Sequence, residues 1–329
     1  MDRRTFIAIT GGTLLGLSSS PRAQDQVTAR RIGFLTPSAR ADMEAFLGQL
    51  RTELAKIGWT DGRNIAFLEP RTTEGRNELL PSVAGELVDQ GPDLILVQSV
   101  PATRALMQAT KSIPIVMVGV GNPVELGIVA GFVKPGGNVT GSSYLANEYA
   151  GKLLQLLKEA APRLRSVALF INPSNEASGP FIKQMRAETA AFGMQVQFVE
   201  VLGKGDFDAA FAAIHGANTQ SILLIPEALI QSNRDAIAGF AQTHGLPLVN
   251  VGSSRTLPAS GLIAFGPTRD EFAKLAARYV DQILKGAKPG ELAIEQPTRF
   301  SLVINLKAAK ALGLTIPQTL LLRADEVIQ

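Results

Sequence analysis

Cysteine is absent from this 329-residue sequence. That excludes a disulfide scaffold, a thiolate metal site, a cysteine nucleophile and a lipid-modified cysteine. Only two histidines occur, His215 and His244, and a glycine follows each. Both fall at expected helix ends, where a cation suits the carbonyl terminus. They leave little basis for a histidine metal site or a nucleophile–histidine pair. Charge is scarce as well. The net charge is +3, and Arg3, Arg4 and Arg22 against Asp2 supply two of those charges. The rest is nearly balanced, so no electrostatic footprint for nucleic acid exists. Beyond the first 23 residues no run of about 18 uncharged apolar residues occurs, so no membrane-spanning helix is expected.

What is present is ordinary in proportion. Hydrophobic residues make up 46% and charged residues 19%, which sets aside disordered, collagenous and coiled-coil chains. The length suggests about two domains and permits a large core.

Residues 1–23 read as an address and not as part of a fold. Arg3-Arg4 is a charged start, Ile7 to Leu17 an uncharged and mostly apolar run, and Ser18 to Ala23 a small-residue exit. That is the layout of a secretory signal peptide, and Asp2-Arg3-Arg4-Thr5-Phe6-Ile7 resembles a twin-arginine signal. The expected location is the periplasm.

From Arg31 short apolar runs alternate with helical periodicity. Strands are predicted near 32–35, 64–68, 93–98 and 114–118, with helices near 43–54, 76–89, 101–110 and 124–132. After the turn cluster Lys134 to Asn138 and a long helix carrying Leu153, Leu154 and Leu157, the pattern restarts. Strands are predicted at 166–171, 195–201, 220–225 and 247–251, and helices at 177–192, 206–215 and 230–244. This βα alternation implies parallel sheets covered by helices, in two similar lobes. The tail breaks the series with an apolar run at 262–265, a helix after it, a strand at 300–305 and a helix at 306–312. Several chain crossings between two lobes would form a cleft with a hinge.

Ligands of open α/β sheets bind beyond the carboxyl ends of the strands. The residues there include Ser38, Ser99, Asn122, Asn172, Asn175 and Glu227. Most are small, polar and neutral. They are also ordinary turn and N-cap types, so their recurrence at five strand ends carries more weight than any one of them. Glu227 is the one acidic residue directly after a strand of the second half. It could hold a ligand ammonium group or cap the next helix. Gly119-Val120-Gly121-Asn122-Pro123-Val124 lacks the third glycine of a dinucleotide fingerprint, and Pro123 lacks an N–H for phosphate. Asn138-Val139-Thr140 matches a glycosylation sequon but lies in the crossover turn. Trp59 reads as a packing residue at the end of the first helix. No paired carboxylates and no nucleophile–base pair stand out, so no catalytic residue, metal or cofactor is assigned.

Several phrases occur in a recognisable order. Glu53 to Asn64 contains Leu-Ala-Lys-Ile-Gly-Trp-Thr-Asp-Gly-Arg-Asn. Thr73-Glu74-Gly75, Ile113-Pro114-Ile115-Val116, Asn122-Pro123-Val124, Pro135 to Gly141 and Asn172-Pro173-Ser174-Asn175 follow. Val303-Ile304-Asn305, Ala308 to Leu314 and Ile316-Pro317 end the series. This pattern resembles the ABC-transporter substrate-binding proteins similar to tryptophan/tyrosine-binding lipoproteins. The resemblance implies a type I periplasmic-binding-protein fold, with two Rossmann-like lobes and a multi-segment hinge. The expected lobes are 31–141 plus about 266–296, and 142–265 plus about 297–329. It implies a non-catalytic, monomeric carrier of a small polar ligand, an amino acid or related carboxylate, that serves a membrane permease and its ATPase. Family binding positions fall on the loops at Ser38, Ser99, Asn122, Asn172, Asn175 and Glu227, with Phe265 near the hinge. The chain departs from the family at Asn122, Glu227 and Phe265, where aspartate, aspartate and tyrosine are common. A two-lobed transferase or epimerase and a sensor module unconnected to transport share the same cleft and stay as alternatives.

Overall fold

The computed structural model describes residues 29–144, 146–253 and 255–329. The expected signal segment 1–23 lies outside them. In chain order the elements are β1 (Arg30–Thr36), α1 (Arg40–Lys56), β2 (Ile65–Phe67), β3 (Arg71–Thr72), α2 (Leu80–Asp89), β4 (Leu94–Val97), α3 (Val100–Ala109), β5 (Ile115–Gly121) and β6 (Val139–Tyr144). There follow α4 (Ala146–Ala160), β7 (Ser166–Ile171), α5 (Ser178–Ala191), β8 (Gln195–Glu200), α6 (Phe207–Gly216), β9 (Ile222–Leu224), α7 (Ala228–Ser232), α8 (Arg234–Thr243) and β10 (Leu248–Val251). The tail holds β11 (Ile263–Pro267), α9 (Arg269–Leu284), β12 (Phe300–Asn305), α10 (Leu306–Ala311), α11 (Gln318–Leu321) and β13 (Glu326–Ile328).

Two sheets result. The first runs β2-β1-β4-β5-β6, with β3 also on β1, and all of its pairings are parallel. The second runs β13-β12-β11-β10-β9-β7-β8, parallel except where β12 meets β11. Strands such as Leu94–Val97 and Ile222–Leu224 are buried at every position, because helices cover both faces. In the first lobe α1 and α9 cover one face through Met43, Phe46, Leu50, Ala276, Tyr279 and Val280, and α2 and α3 cover the other through Leu80, Leu87, Val100 and Leu106. The second lobe has one continuous core around Leu153, Phe170, Met185, Ile237 and Val249.

The chain passes between the sheets at 144–146, at 267–269 and at 295–300. Hence α9 packs on the first lobe although β11 before it and β12 after it belong to the second sheet. An aromatic cluster ties the three passages together. Tyr144 stacks on Tyr149 (6.0 Å between ring centres) and meets Phe272 edge-on (6.1 Å). Phe265 stacks on Phe300 (6.0 Å), and both meet Tyr149.

Three local expectations need correction. No helix forms at 124–132. Pro123 and Gly127 confine that stretch to turns closed by Leu126 N–H to Asn122 O and Ile128 N–H to Pro123 O, and Gly127 takes a positive φ. The segment after the 134–138 turn is not a simple lead-in to a helix but the strand β6, which completes the first sheet. The single helix expected at 230–244 is two helices, broken at Asn233 (φ −109°). Trp59 packs on the α1–α9 core as expected, and its indole N–H also donates to Asp281 (2.8 Å). Asn138 turns inward and donates to Ile113 O (2.8 Å), which accounts for it structurally. His215 and His244 pack ring to ring at 4.9 Å, and His244 Nδ1 lies 2.9 Å from Phe240 O.

Candidate functional site

The carboxyl ends of β1, β4, β5, β9 and β10 face one cleft between the lobes. A cavity of about 300 Å³ opens there, the small end of the usual range for ligand sites. The first lobe contributes Ser38, Asp42, Gln98, Ser99 and Asn122, and the second contributes Asn175, Ile225, Glu227, Arg234 and Thr256. Arg269 and Phe272 come from the first turn of α9, just after the second passage. Phe46, Tyr144, Phe181 and Phe272 supply aromatic surface.

Glu227 caps α7, accepting from Ile230 N–H (3.1 Å) and from Asn172 Nδ2 (3.2 Å). It reaches the cavity while 7% exposed. Burial is the largest influence on its carboxyl and pushes it above the ordinary carboxylate value, against the pull of these hydrogen bonds. Asn172 does not line the cavity. It lies behind Glu227, 1% exposed, and its Oδ1 accepts from Ser174 N–H (3.0 Å) and Ser174 Oγ–H (2.7 Å). The pair thus presents one oriented carboxylate. Tyr144 comes from the opposite lobe, its Oη 3.5 Å from Pro226 O. Burial, then the neighbouring Tyr149 and Glu227, push its phenol upward, so it stays protonated.

The other predicted positions combine lining with local duty. Ser99 caps α3, accepting from Ala102 N–H (3.3 Å), and holds a strained φ of 79°. Such strain in a non-glycine residue clusters at ligand sites. Asn122 also has a positive φ, 47°, and its amide donates to Glu125 (3.0 Å). Asn175 Oδ1 accepts from Ala177 N–H (3.1 Å), and Ser38 N–H donates to Thr36 Oγ1 (3.1 Å). Phe265 stands apart. It is outside the cavity lining, its ring held by Tyr149 and Phe300 in the aromatic cluster at the crossings.

Strand ends alone do not reveal Asp42, Arg234, Arg269, Phe181 and Phe272. Each sits within a turn or so of a helix start, one step beyond the loops. Asp42 accepts from Arg234 Nη1 (2.9 Å) and from Arg269 Nη2 (3.2 Å), which joins the two lobes inside the cleft. Gly119, also in the lining, shows how tightly the aromatic wall is set. At φ 63° a Cβ there would lie 2.8 Å from Phe272 Cε1.

The profile of the family described as ABC transporter substrate binding protein matches residues 39–328. The chain belongs to that family. It is a family of solute-binding proteins and not of enzymes. A tyrosine-binding protein of Clostridioides difficile is 26% identical over 259 residues, 78% of this chain and 73% of that protein. The L-Trp complex of an ABC domain from Streptococcus pneumonia superposes with a TM-score of 0.82 at 23% identity, over 92% of this chain and all of the other. A conserved domain protein of Vibrio cholerae reaches a TM-score of 0.84 at 26% identity, over 91% of this chain and 99% of its own. The fold of this substrate-binding protein is therefore that of type I periplasmic binding proteins, as the motif order implied.

Proposed function

We propose that this chain is the exported, periplasmic solute-binding component of an ABC importer and binds one amino acid, or a related carboxylate, by hinge closure. One observation carries the reading: a cavity of amino-acid size whose walls come from both lobes and whose polar groups converge on it. Differential contact with two lobes is what shifts a hinge toward closure. We take the lobes as 31–141 with about 266–296 and 142–265 with about 297–329, the rest of β6, as far as Tyr144, going with the first sheet to which it is paired. Ser38, Ser99 and Asn122 meet the ligand from the first lobe, and Asn175 and Glu227 from the second. Asn172 aims Glu227 at a ligand ammonium group, and Phe265 acts through the hinge. The tyrosine-binding relative favours an aromatic amino acid, and the aromatic wall fits one. The closed monomer hands its cargo to the permease, whose ATPase drives uptake, and the chain performs no catalysis. A thermal-shift screen against amino acids, small carboxylates and sugars tests this. A ligand at about 100 times Kd adds about 2.7 kcal/mol, a shift of several degrees. A response to an amino acid or a related carboxylate without turnover supports the reading, and silence across both classes contradicts it.

A further inference from the structure

The charges of the cleft are unevenly placed. Arg234 is the first residue of α8 and Arg269 the first residue of α9. A helix N-terminus is the positive end of the dipole and disfavours a cation. Both arginines nonetheless stand there, 26% and 18% exposed, and both converge on Asp42 in the first turn of α1. Two guanidinium groups, each carried by the first residue of a helix, therefore meet one carboxylate in the first turn of a third. The acidic residues beside them, Asp235 and Asp270, are exposed and outside the cavity lining. Glu227, the other acid of the lining, is engaged by Asn172 and Ile230 N–H. The four charged side chains of the lining balance in sum, but within the cluster of Arg234, Arg269 and Asp42 two cations share one carboxylate.

The hydrogen-bond inventory agrees. A guanidinium has five N–H donors. Arg234 directs Nη1 to Asp42 and to Gln231 O (2.9 Å), and Arg269 directs Nη2 to Asp42. Each of these bonds uses one end of the planar fork. The remaining edge of each fork matches a carboxylate in geometry and charge.

We infer that Arg234 and Arg269 form an anion subsite for the ligand's carboxylate, with Asp42 as the residue that positions both. The inference rests on the proposed binding of a ligand in this cleft and deepens it. The ligand must carry an anionic group, and a cationic amine alone does not satisfy the site. Because Arg234 belongs to the second lobe and Asp42 to the first, the subsite is complete only when the lobes are together. Carboxylate binding and closure are then one event.

The test is calorimetric titration of the purified chain with L-tyrosine, with tyramine (same ring and ammonium, no carboxylate) and with 3-(4-hydroxyphenyl)propionate (same ring and carboxylate, no ammonium). The other standard amino acids, each with its amine and acid analogues, complete the panel. Variants are Arg234→Gln, Arg269→Gln and, as a control, Arg104→Gln, which removes the lobe-bridging pair with Glu176 outside the cavity. The expected result is that carboxylate-bearing probes lose about tenfold or more in affinity in the first two variants. The amines should bind the wild type weakly and change little. If either variant weakens all probes equally, as the control does, the arginines only clasp the lobes and the inference fails. If amines bind the wild type as tightly as their amino acids, the inference fails while cleft binding stands. If no amino acid or analogue binds the wild type, the reading of the cleft itself falls.

Discussion

At the scale of the residue, Glu227 decides most. Its carboxyl is raised above the ordinary value chiefly by burial. Between the ordinary and the raised value the folded chain holds a proton that the unfolded chain has released. Stability attributable to this group is full below the ordinary value and falls as pH rises through the raised one. Glu227→Gln should therefore gain stability relative to the wild type on going from about pH 4 to about pH 8, read as the difference in Tm. The same variant should weaken an ammonium-bearing ligand by about 1.5–3 kcal/mol, the range of a charge-assisted hydrogen bond. Asn172→Ala removes the amide behind Glu227 and leaves Ser174 without its acceptor. It should cost about 1–3 kcal/mol in denaturant unfolding. Glu227 was legible in the sequence because it directly follows a strand. Arg234 and Arg269 were not, since a charged residue at a helix start looks like any solvated one until the fold brings both onto Asp42.

At the scale of the element, periodicity located the buried strands and the long helices. Ile32-Gly33-Phe34-Leu35 and Leu94–Val97 are apolar runs too short for a helix, and the structure buries them in the centre of the first sheet. What periodicity could not reveal is polar or broken. Strand β6, Val-Thr-Gly-Ser-Ser-Tyr, is buried through its hydroxyls. Ser142 Oγ accepts from Gly119 N–H (3.0 Å), and Thr140 Oγ1 donates to Leu292 O (2.7 Å), so an apolar pattern is missing although Val139 to Ser143 are buried. The stretch 124–132 has helical spacing of apolar residues, but Pro123 and Gly127 override it. Phe265 was expected among the binding positions, near the hinge, and its ring packs on Tyr149 and Phe300 at the crossings between the sheets, outside the cavity lining. Phe265→Ala should lower stability by about 2–4 kcal/mol, seen as a fall in Tm of several degrees. Affinity, measured by titration, should change less than in Glu227→Gln. The Gly119 position behaves in the opposite way. Gly119→Ala drives Phe272 from the aromatic wall, so ligand affinity should fall more than Tm.

At the scale of the whole molecule, the lobes touch through residues outside the cavity lining as well as within it. Asn77 donates to Ser174 (3.0 Å), and Arg104 pairs with Glu176 (2.6 Å). Gly75 approaches the backbone of Leu229 so closely that a Cβ there would lie 3.4 Å from its Cα and 3.2 Å from its Cδ1. A larger side chain at 75 should hold the lobes apart. Gly75→Val is expected to raise the radius of gyration in small-angle scattering with ligand present and to weaken binding. The two-lobed plan was legible in the alternation of strands and helices. The identity of the contacts across the cleft was not, because they join residues such as Asp42 and Arg234 that are 192 positions apart.

The most direct measurement is calorimetric titration of the chain with L-tyrosine and L-tryptophan, beside the double variant Asn172→Ala/Glu227→Ala. Saturable binding of one ligand per chain is expected, lost in the double variant while its unfolding transition stays cooperative. Equal affinity in the two proteins would contradict a ligand held between the lobes at Glu227.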